Sequence, residues 1–307
     1  MIRGRVCPSE NTMYDTVLVP TDGSEHAERA GAHAAFLARA FDASIHLLNV
    51  VDLQAAAGPI NAGGVDEAYV ERLETEGEAT IGTLEPIFED VPVETDVVRG
   101  RPSEAILDYV AEHDVDLLAM GTHGRTGLDR YIAGSVVEHV VRHATVPVLT
   151  TRAVETSTVD DGYDEIVIPT DGSKPATAAV EHGLAIAERA DARVHAINVV
   201  NVATLSSGPD QTAPTELLAE FTARGERATE EIATAAADRG LDATTTVREG
   251  FPARDILDYV EANDADLVAM GTAGRSGLNR FLLGSTTERV VRHSPVPVCA
   301  VNARDTE

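Results

Sequence analysis

Short apolar, β-branched runs alternate along this chain with stretches whose apolar residues recur at three- and four-residue spacing. Thr16 to Pro20 is one such run, closed by a proline, and predicts a buried strand. Ser24 to Phe41 carries helical periodicity, with Ser24 placed as its N-cap and Glu25 and Glu28 in its first turn. Ser44 to Val51 predicts a second strand, about Val65 to Phe88 a long acid-rich helix, and Val91 to Val98 a third strand. Pro102 opens a helix that runs to His113, with proline at its favoured first position. Asp116 to Met120 predicts a fourth strand, Ser135 to His143 a fourth helix and Pro147 to Thr151 a fifth strand. This alternation implies a parallel sheet with helices on both faces. A ligand of such a sheet lies at the carboxyl ends of the strands, where the strand order reverses.

The pattern then occurs again. Thr16-Val17-Leu18-Val19-Pro20-Thr21-Asp22-Gly23-Ser24 returns as Glu165-Ile166-Val167-Ile168-Pro169-Thr170-Asp171-Gly172-Ser173. Ile106 to Val110 returns unchanged as Ile256 to Val260, and Val140-Val141-Arg142-His143 as Val290-Val291-Arg292-His293. A period this long is a duplicated domain and not a solenoid. The chain of 307 residues therefore divides into a tail (1–13), a first copy (14–152), a linker (153–162) and a second copy (163–303). The fold class is α/β: two tandem domains, each a five-stranded parallel sheet with helices on both faces. The spacing shifts by one residue partway, which reads as a single insertion near Glu249-Gly250.

Charge changes the picture more than composition does. The formal net charge is -27, and Lys174 is the only lysine. Such a surface either recruits a cationic partner or suits a cytoplasm of molar salt, where repulsion is screened within a few ångström. The acids are spread along both halves and form no tail, which favours salt adaptation. Nucleic acid is a poor partner for this surface. Apolar runs such as Leu117 to Met120 are far short of a membrane span, and no apolar stretch follows the basic N-terminal residues, so a cytoplasmic protein without signal peptide is expected. Cys7 and Cys299 cannot make a disulfide framework.

Chemistry gathers at the strand ends. After the fourth strand stands Gly121-Thr122-His123-Gly124-Arg125-Thr126-Gly127, and Gly134-Ser135 then opens a helix. The second copy has Gly271-Thr272-Ala273-Gly274-Arg275-Ser276-Gly277 and then Gly284-Ser285. Glycines let backbone N–H groups approach phosphate oxygens, and a helix N-terminus offers unpaired donors and partial positive charge. A plain glycine-rich turn is the competing reading, weakened because both copies carry the same spacing. Asp22 and Asp171 follow the first strand, where a carboxylate accepts ribose hydroxyls or else only caps the next helix. Val50 and Val199 end the second strand, where their backbone faces an adenine edge or they simply pack in the core.

Strand–Pro-Thr-Asp-Gly-Ser–helix, with Gly-x-x-Gly, nine residues and Gly-Ser before the last helix, resembles the universal stress protein family in its ATP-binding branch. The resemblance covers both copies and implies a Rossmann-like fold. It implies ribose contact at Asp22, adenine contact at the Val50 backbone, and ribose or phosphate contacts at Met120 and Gly121. Phosphate contacts are implied at Gly124, Gly134, Ser135 and Val136. In the second copy these positions are Asp171, Val199, Met270, Gly271, Gly274, Gly284, Ser285 and Thr286. Departures between the copies are Ala273 for His123 and Thr286 for Val136. Magnesium or manganese is expected to accompany the nucleotide, and the resemblance implies edge pairing of the fifth strands, within one chain or between two. The expected role is an ATP, ADP or AMP-binding stress regulator with no fast catalysis, because the motif loops hold no lysine to clamp phosphates. The rivals are a slow ATPase or phosphotransferase and a scaffold that binds nothing. His139 and His143 have the spacing of a metal pair, but Arg289 replaces the first in the second copy. His143 and His293 fit better as complements of a helix C-terminus, and Glu71, Glu74, Glu76 and Glu78 as a solvated helix face.

Overall fold

The computed structural model describes residues 13–53, 66–124, 135–159, 162–205, 215–273 and 283–302. The first copy runs β1 (Thr16–Pro20), α1 (Glu25–Phe41), β2 (Ser44–Val51), α2 (Glu67–Leu84), β3 (Val93–Arg99), α3 (Pro102–Glu112), β4 (Leu117–Gly121), α4 (Ser135–His143) and β5 (Val148–Thr151). The second runs β6 (Glu165–Pro169), α5 (Lys174–Ala190), β7 (Arg193–Asn201), the short α6 (Val202–Leu205), α7 (Thr215–Ala237), β8 (Ala243–Gly250), α8 (Pro252–Ala262), β9 (Leu267–Gly271), α9 (Ser285–His293) and β10 (Val298–Val301).

Local chemistry starts and stops these elements alike in both copies. The Ser24 hydroxyl accepts the Ala27 N–H at the start of α1, and Ser173 accepts that of Ala176 at the start of α5. Both helices end at an aspartate in the left-handed region, Asp42 (φ 57) and Asp191 (φ 56). The long first-copy helix stops at Leu84 and not at Phe88. Pro86 lies in the following 3-10 turn, Glu85–Phe88, and lacks the N–H that a further α-turn needs.

Among the described residues the strands form one sheet in the order β3-β2-β1-β4-β5-β10-β9-β6-β7-β8. Each half is parallel, as the alternation implies, but the two halves are not separate sheets. β5 and β10 meet antiparallel at the centre, with Leu149 opposite Cys299. The reversal of strand order falls between β1 and β4, and between β6 and β9. The outermost strands, β3 and β8, are half-buried to exposed throughout and rich in charged residues and threonine, which blunts their edges.

One apolar core runs under α1, α2, α5 and α7 across both copies, from Tyr14 and Leu84 to Leu184 and Ile232. The opposite face has a separate core in each copy, one around Leu118 and Val140 and one around Val268 and Val290. The junction is reciprocal. Tyr14 Oη lies 2.8 Å from His182 Nδ1, and Tyr163 Oη lies 2.9 Å from His33 Nδ1. Arg152 donates to the His293 and Ser294 carbonyls, while Asn302 donates to those of Val141 and Ala144.

The length difference between the copies does not sit at Glu249-Gly250. Ile45 pairs with Val93, and the equivalent Val194 with Ala243, so the third strands enter already shifted. The gains and losses therefore fall between the second and third strands, where a loop and helix ends absorb them.

Candidate functional site

At the switch points the chain turns sharply out of β1 and β6. Gly23 (φ 71) and Gly172 (φ 70) take the left-handed conformation that this turn requires. Asp22 Oδ1 accepts the Ser24 N–H at 3.0 Å, and Asp171 Oδ1 accepts that of Ser173 at 2.9 Å. Helix capping itself falls to the serines, so each aspartate holds its own turn and presents its second oxygen elsewhere. In the first copy that oxygen, Oδ2, faces Gly124, where an added Cβ would lie 2.5 Å from it.

Asparagines from β2 and β7 brace the floor of each site. Asn49 Nδ2 donates to the Thr21 carbonyl at 2.8 Å, and Asn198 Nδ2 donates to that of Thr170 at 2.7 Å. Their other side packs on a glycine of the long helix, Gly77 or Gly225, where a Cβ would collide with the amide. Gly121 and Gly271 are needed for a related reason. A Cβ at Gly121 would lie 2.6 Å from the His26 backbone, and one at Gly271 2.6 Å from that of Pro175. These two glycines admit the first turn of α1 or α5 to the strand end, a demand made by the fold and not by a ligand.

In the second copy these parts enclose a cavity of about 420 Å³. Asp171, Val199, Met270, Gly271, Gly284, Ser285 and Thr286 all line it, with Thr170, Asn198, Phe221 and Pro252 among the further walls. Gly284 is the N-cap of α9 with φ -65, and no side chain caps that helix start. Its N–H donates to the Thr272 carbonyl at 2.7 Å, and Thr287 Oγ1 donates to that of Gly271 at 2.8 Å. The helix start is thereby tied to the end of β9, with its first-turn donors at the cavity wall. Asp171 is the one ionisable side chain among the described lining residues. Gly274 lies outside the described residues.

The first copy places Val50 at the end of β2, Met120 and Gly121 at the end of β4, and Ser135 and Val136 at the start of α4. Gly134 and Arg125 to Gly127 lie outside the described residues. What this copy adds is imidazole. His26 and His123 stand with ring centroids 5.1 Å apart, tilted by 52°. Burial lowers the His26 pKa, and His123 and Arg152 lower it further against the pull of Glu25 and Asp22.

The remaining histidine and acid candidates find structural partners. His143 Nδ1 donates to the His139 carbonyl at 2.8 Å, and His293 Nδ1 to that of Arg289 at 2.9 Å, each at the end of its helix. Among the described residues no cluster of three or more His, Cys, Asp or Glu has metal-binding proximity. Glu74 pairs with Arg99 at 2.6 Å, and Glu71, Glu76 and Glu78 are exposed. Asn49, Asn198, Gly77, Gly225 and Phe221 were not expected at the site. The signal for the first four was present, since an asparagine near the end of the second strand and a glycine in the long helix recur in both copies.

A doubly wound α/β domain with its pocket at the strand ends, duplicated in tandem, is the class this architecture defines. The chain belongs to the universal stress protein family, whose model matches residues 13–152 and again 162–302. It is 40% identical to a universal stress protein of Methanocaldococcus jannaschii over 140 residues, which are 45% of this chain and 82% of that one. A universal stress protein of Archaeoglobus fulgidus has the same fold over 96% of this chain and 100% of its own, with a TM-score of 0.70 and 23% identity. One from Pseudomonas aeruginosa, 20% identical, covers 95% of each chain at a TM-score of 0.62. No described helix is long and apolar enough to cross a membrane.

Proposed function

We propose that this protein binds an adenine nucleotide, ATP or its AMP and ADP relatives, at the strand ends of both copies. It acts as a cytoplasmic stress regulator and not as a fast enzyme. The observation that carries this reading is the second-copy cavity. It combines a carboxylate at Asp171, the end of β7 at Val199 and the uncapped start of α9 within about 420 Å³. That volume falls in the range of small-molecule sites, roughly 300–1,000 Å³. Asp171 takes the ribose hydroxyls, the Val199 backbone the adenine edge, and Met270 and Gly271 the sugar-phosphate junction. Gly284, Ser285 and Thr286 take the phosphates on the helix N-terminus, where N–H donors and the dipole favour an anion. Asp22, Val50, Met120, Gly121, Gly124, Gly134, Ser135 and Val136 do the same in the first copy, with Gly274 completing the second.

Magnesium or manganese arrives with the phosphates in this reading. The described residues offer no cage for it. The slow-hydrolase alternative needs a base and a phosphate clamp. Asp171 is the one ionisable group on the described second-copy wall, and no lysine lines it. Turnover in the second copy is therefore expected well below about 1 per second.

The test is to release bound nucleotide by heat and then titrate the emptied chain by calorimetry. Two equivalents are expected, and Gly284→Val is expected to remove one. Because Gly284 has φ -65, valine there acts through bulk at the phosphate end and not through backbone strain. Failure to bind any adenine nucleotide overturns the reading. The charge of -27 supports a working environment of molar salt. A melting temperature equal in dilute buffer and in molar KCl would remove that part.

A further inference from the structure

The two sites share their scaffold but differ at three places that lie together in space. The first copy has His26 in the first turn of α1, His123 after β4 and Arg152 after β5. The second has Pro175, Ala273 and Asn302 at the same places. Two imidazoles that can acquire positive charge thus correspond to Pro175 and Ala273, which cannot, while Glu25 beside His26 corresponds to Lys174, whose charge is fixed, and Arg152 is held by the His293 and Ser294 carbonyls. The difference between the copies is one of titratable charge, and it lies at the end of the site where phosphates are assigned.

The geometry ties the pair to that end. The His26 backbone lies against Gly121, and Gly124 sits on the Asp22 carboxylate. Ser24 Oγ donates to the His123 carbonyl at 3.4 Å, and His123 Nδ1 lies 3.1 Å from Thr122 Oγ1. Both imidazoles therefore flank the Gly121–Gly124 turn, 5.1 Å apart. The second copy differs on its other wall as well. Phe221 of α7 lines its cavity, where the aligned residue of α2 is Leu73. An aromatic face holds a base by stacking, whatever phosphates it carries.

We propose that the first copy is a proton-linked site for nucleotides carrying two or more phosphates, with His26 and His123 as the groups that take up protons when phosphate binds. The second copy meets its phosphates with the N–H groups at the start of α9, which do not titrate, so its affinity depends little on pH. This rests on the nucleotide reading above and says what distinguishes its two sites.

The sign follows from the charges around the pair. Glu25 and Asp22 favour imidazolium at His26, while burial, Arg152 and mutual repulsion with His123 disfavour it. A polyphosphate adds negative charge and tips the balance toward protonation. Affinity in the first copy therefore rises as pH falls through the imidazole range and is lost above it.

The experiment is calorimetry of the full chain with AMP, ADP and ATP at pH 6 and pH 8 in molar KCl. The wild type is compared with the double variant His26→Pro/His123→Ala. These are the residues the second copy uses, and proline suits the first helical turn. His26→Gln/His123→Gln, checked by circular dichroism, replaces that variant if it misfolds. Wild type is expected to show two unequal ATP sites, one tightening about tenfold from pH 8 to pH 6. AMP should show little of this change, and the variant should lose it. The second site on the same chain cancels the nucleotide's own titration. Two sites with equal pH and phosphate dependence, or an unchanged profile in the variants, overturn this proposal alone. No binding at either copy overturns the parent reading and this one with it.

Discussion

The two copies of this protein diverge where a ligand would be read and agree where the fold is held. Ser24 and Ser173, Asp42 and Asp191, Asn49 and Asn198, and the tyrosine–histidine pairs Tyr14–His182 and Tyr163–His33 do identical work in each half. His26, Leu73, Arg101, His123 and Arg152 are replaced by Pro175, Phe221, Phe251, Ala273 and Asn302. Phe251, next to the cavity residue Pro252, is 54% exposed. His26, Leu73, Arg101 and His123 can differ from their counterparts because none of them belongs to the apolar core, whereas Arg152 and Asn302 differ while both brace the junction. A chain that only needed its second half as a structural partner would have little reason to keep a cavity there.

The largest effect should come from the shared centre of the sheet. Val148 is 0% exposed and Val298 1%, each packed into the core on its own side of the β5–β10 seam. A carboxylate at either place is buried without a partner, a loss of roughly 5 kcal/mol or more, comparable with the whole stability of a domain. If the seam is truly reciprocal, Val148→Asp and Val298→Asp should abolish cooperative folding alike. Denaturant melts of the two variants measure this. A folded Val298→Asp beside an unfolded Val148→Asp would break the equivalence of the halves.

Much of this architecture was legible because its causes are local. Serine caps, Pro102 at a helix start and Ser135 to His143 as a helix follow from chemistry within one turn. The strand-end location of Asp171, Val199 and Gly284 follows from alternation alone, since parallel strands put every such residue at one rim. What stayed hidden depends on distant neighbours. Gly121 and Gly271 looked like phosphate glycines, yet the atoms that exclude a side chain there belong to His26 and Pro175, far away in sequence. The Tyr14–His182 contact spans 168 positions and has no periodicity to announce it. The misplaced insertion has the same origin, because strand register is set by pairing and not by motif spacing.

Acid should separate the seam from the rest at an intermediate level. His33 is 1% exposed against Tyr163, and burial pushes its pKa down to about 4, opposed by the Ser157 carbonyl and aided by Arg29. Unfolding restores an ordinary value near 6.5, so between pH 6.5 and 4 the unfolded chain binds the extra proton. Stability must fall as pH falls through that window and level off below it, by an amount on the order of 3 kcal/mol. Urea midpoints of wild type and His33→Gln, compared from pH 7 to pH 4.5, isolate the term. The variant should lose less than wild type across this range; parallel curves would mean that His33 titrates normally.

The smallest effect is also the sharpest comparison of the two sites. Asn198 is 7% exposed and donates to the Thr170 carbonyl at 2.7 Å, while the equivalent Asn49 is half-buried and donates to Thr21 at 2.8 Å. The bonds are alike in length, so any difference between them must come from desolvation. Removing a buried amide takes away its hydrogen bond and leaves the partner in a dry place, at about 1–3 kcal/mol, whereas water replaces an exposed one at less cost. Asn198→Ala should therefore destabilise the chain by about 1 kcal/mol more than Asn49→Ala. Urea melts of the two single variants at fixed pH and salt decide it. Equal losses would mean that water reaches both strand ends equally in the free protein. The contrast between the copies would then lie in charge alone.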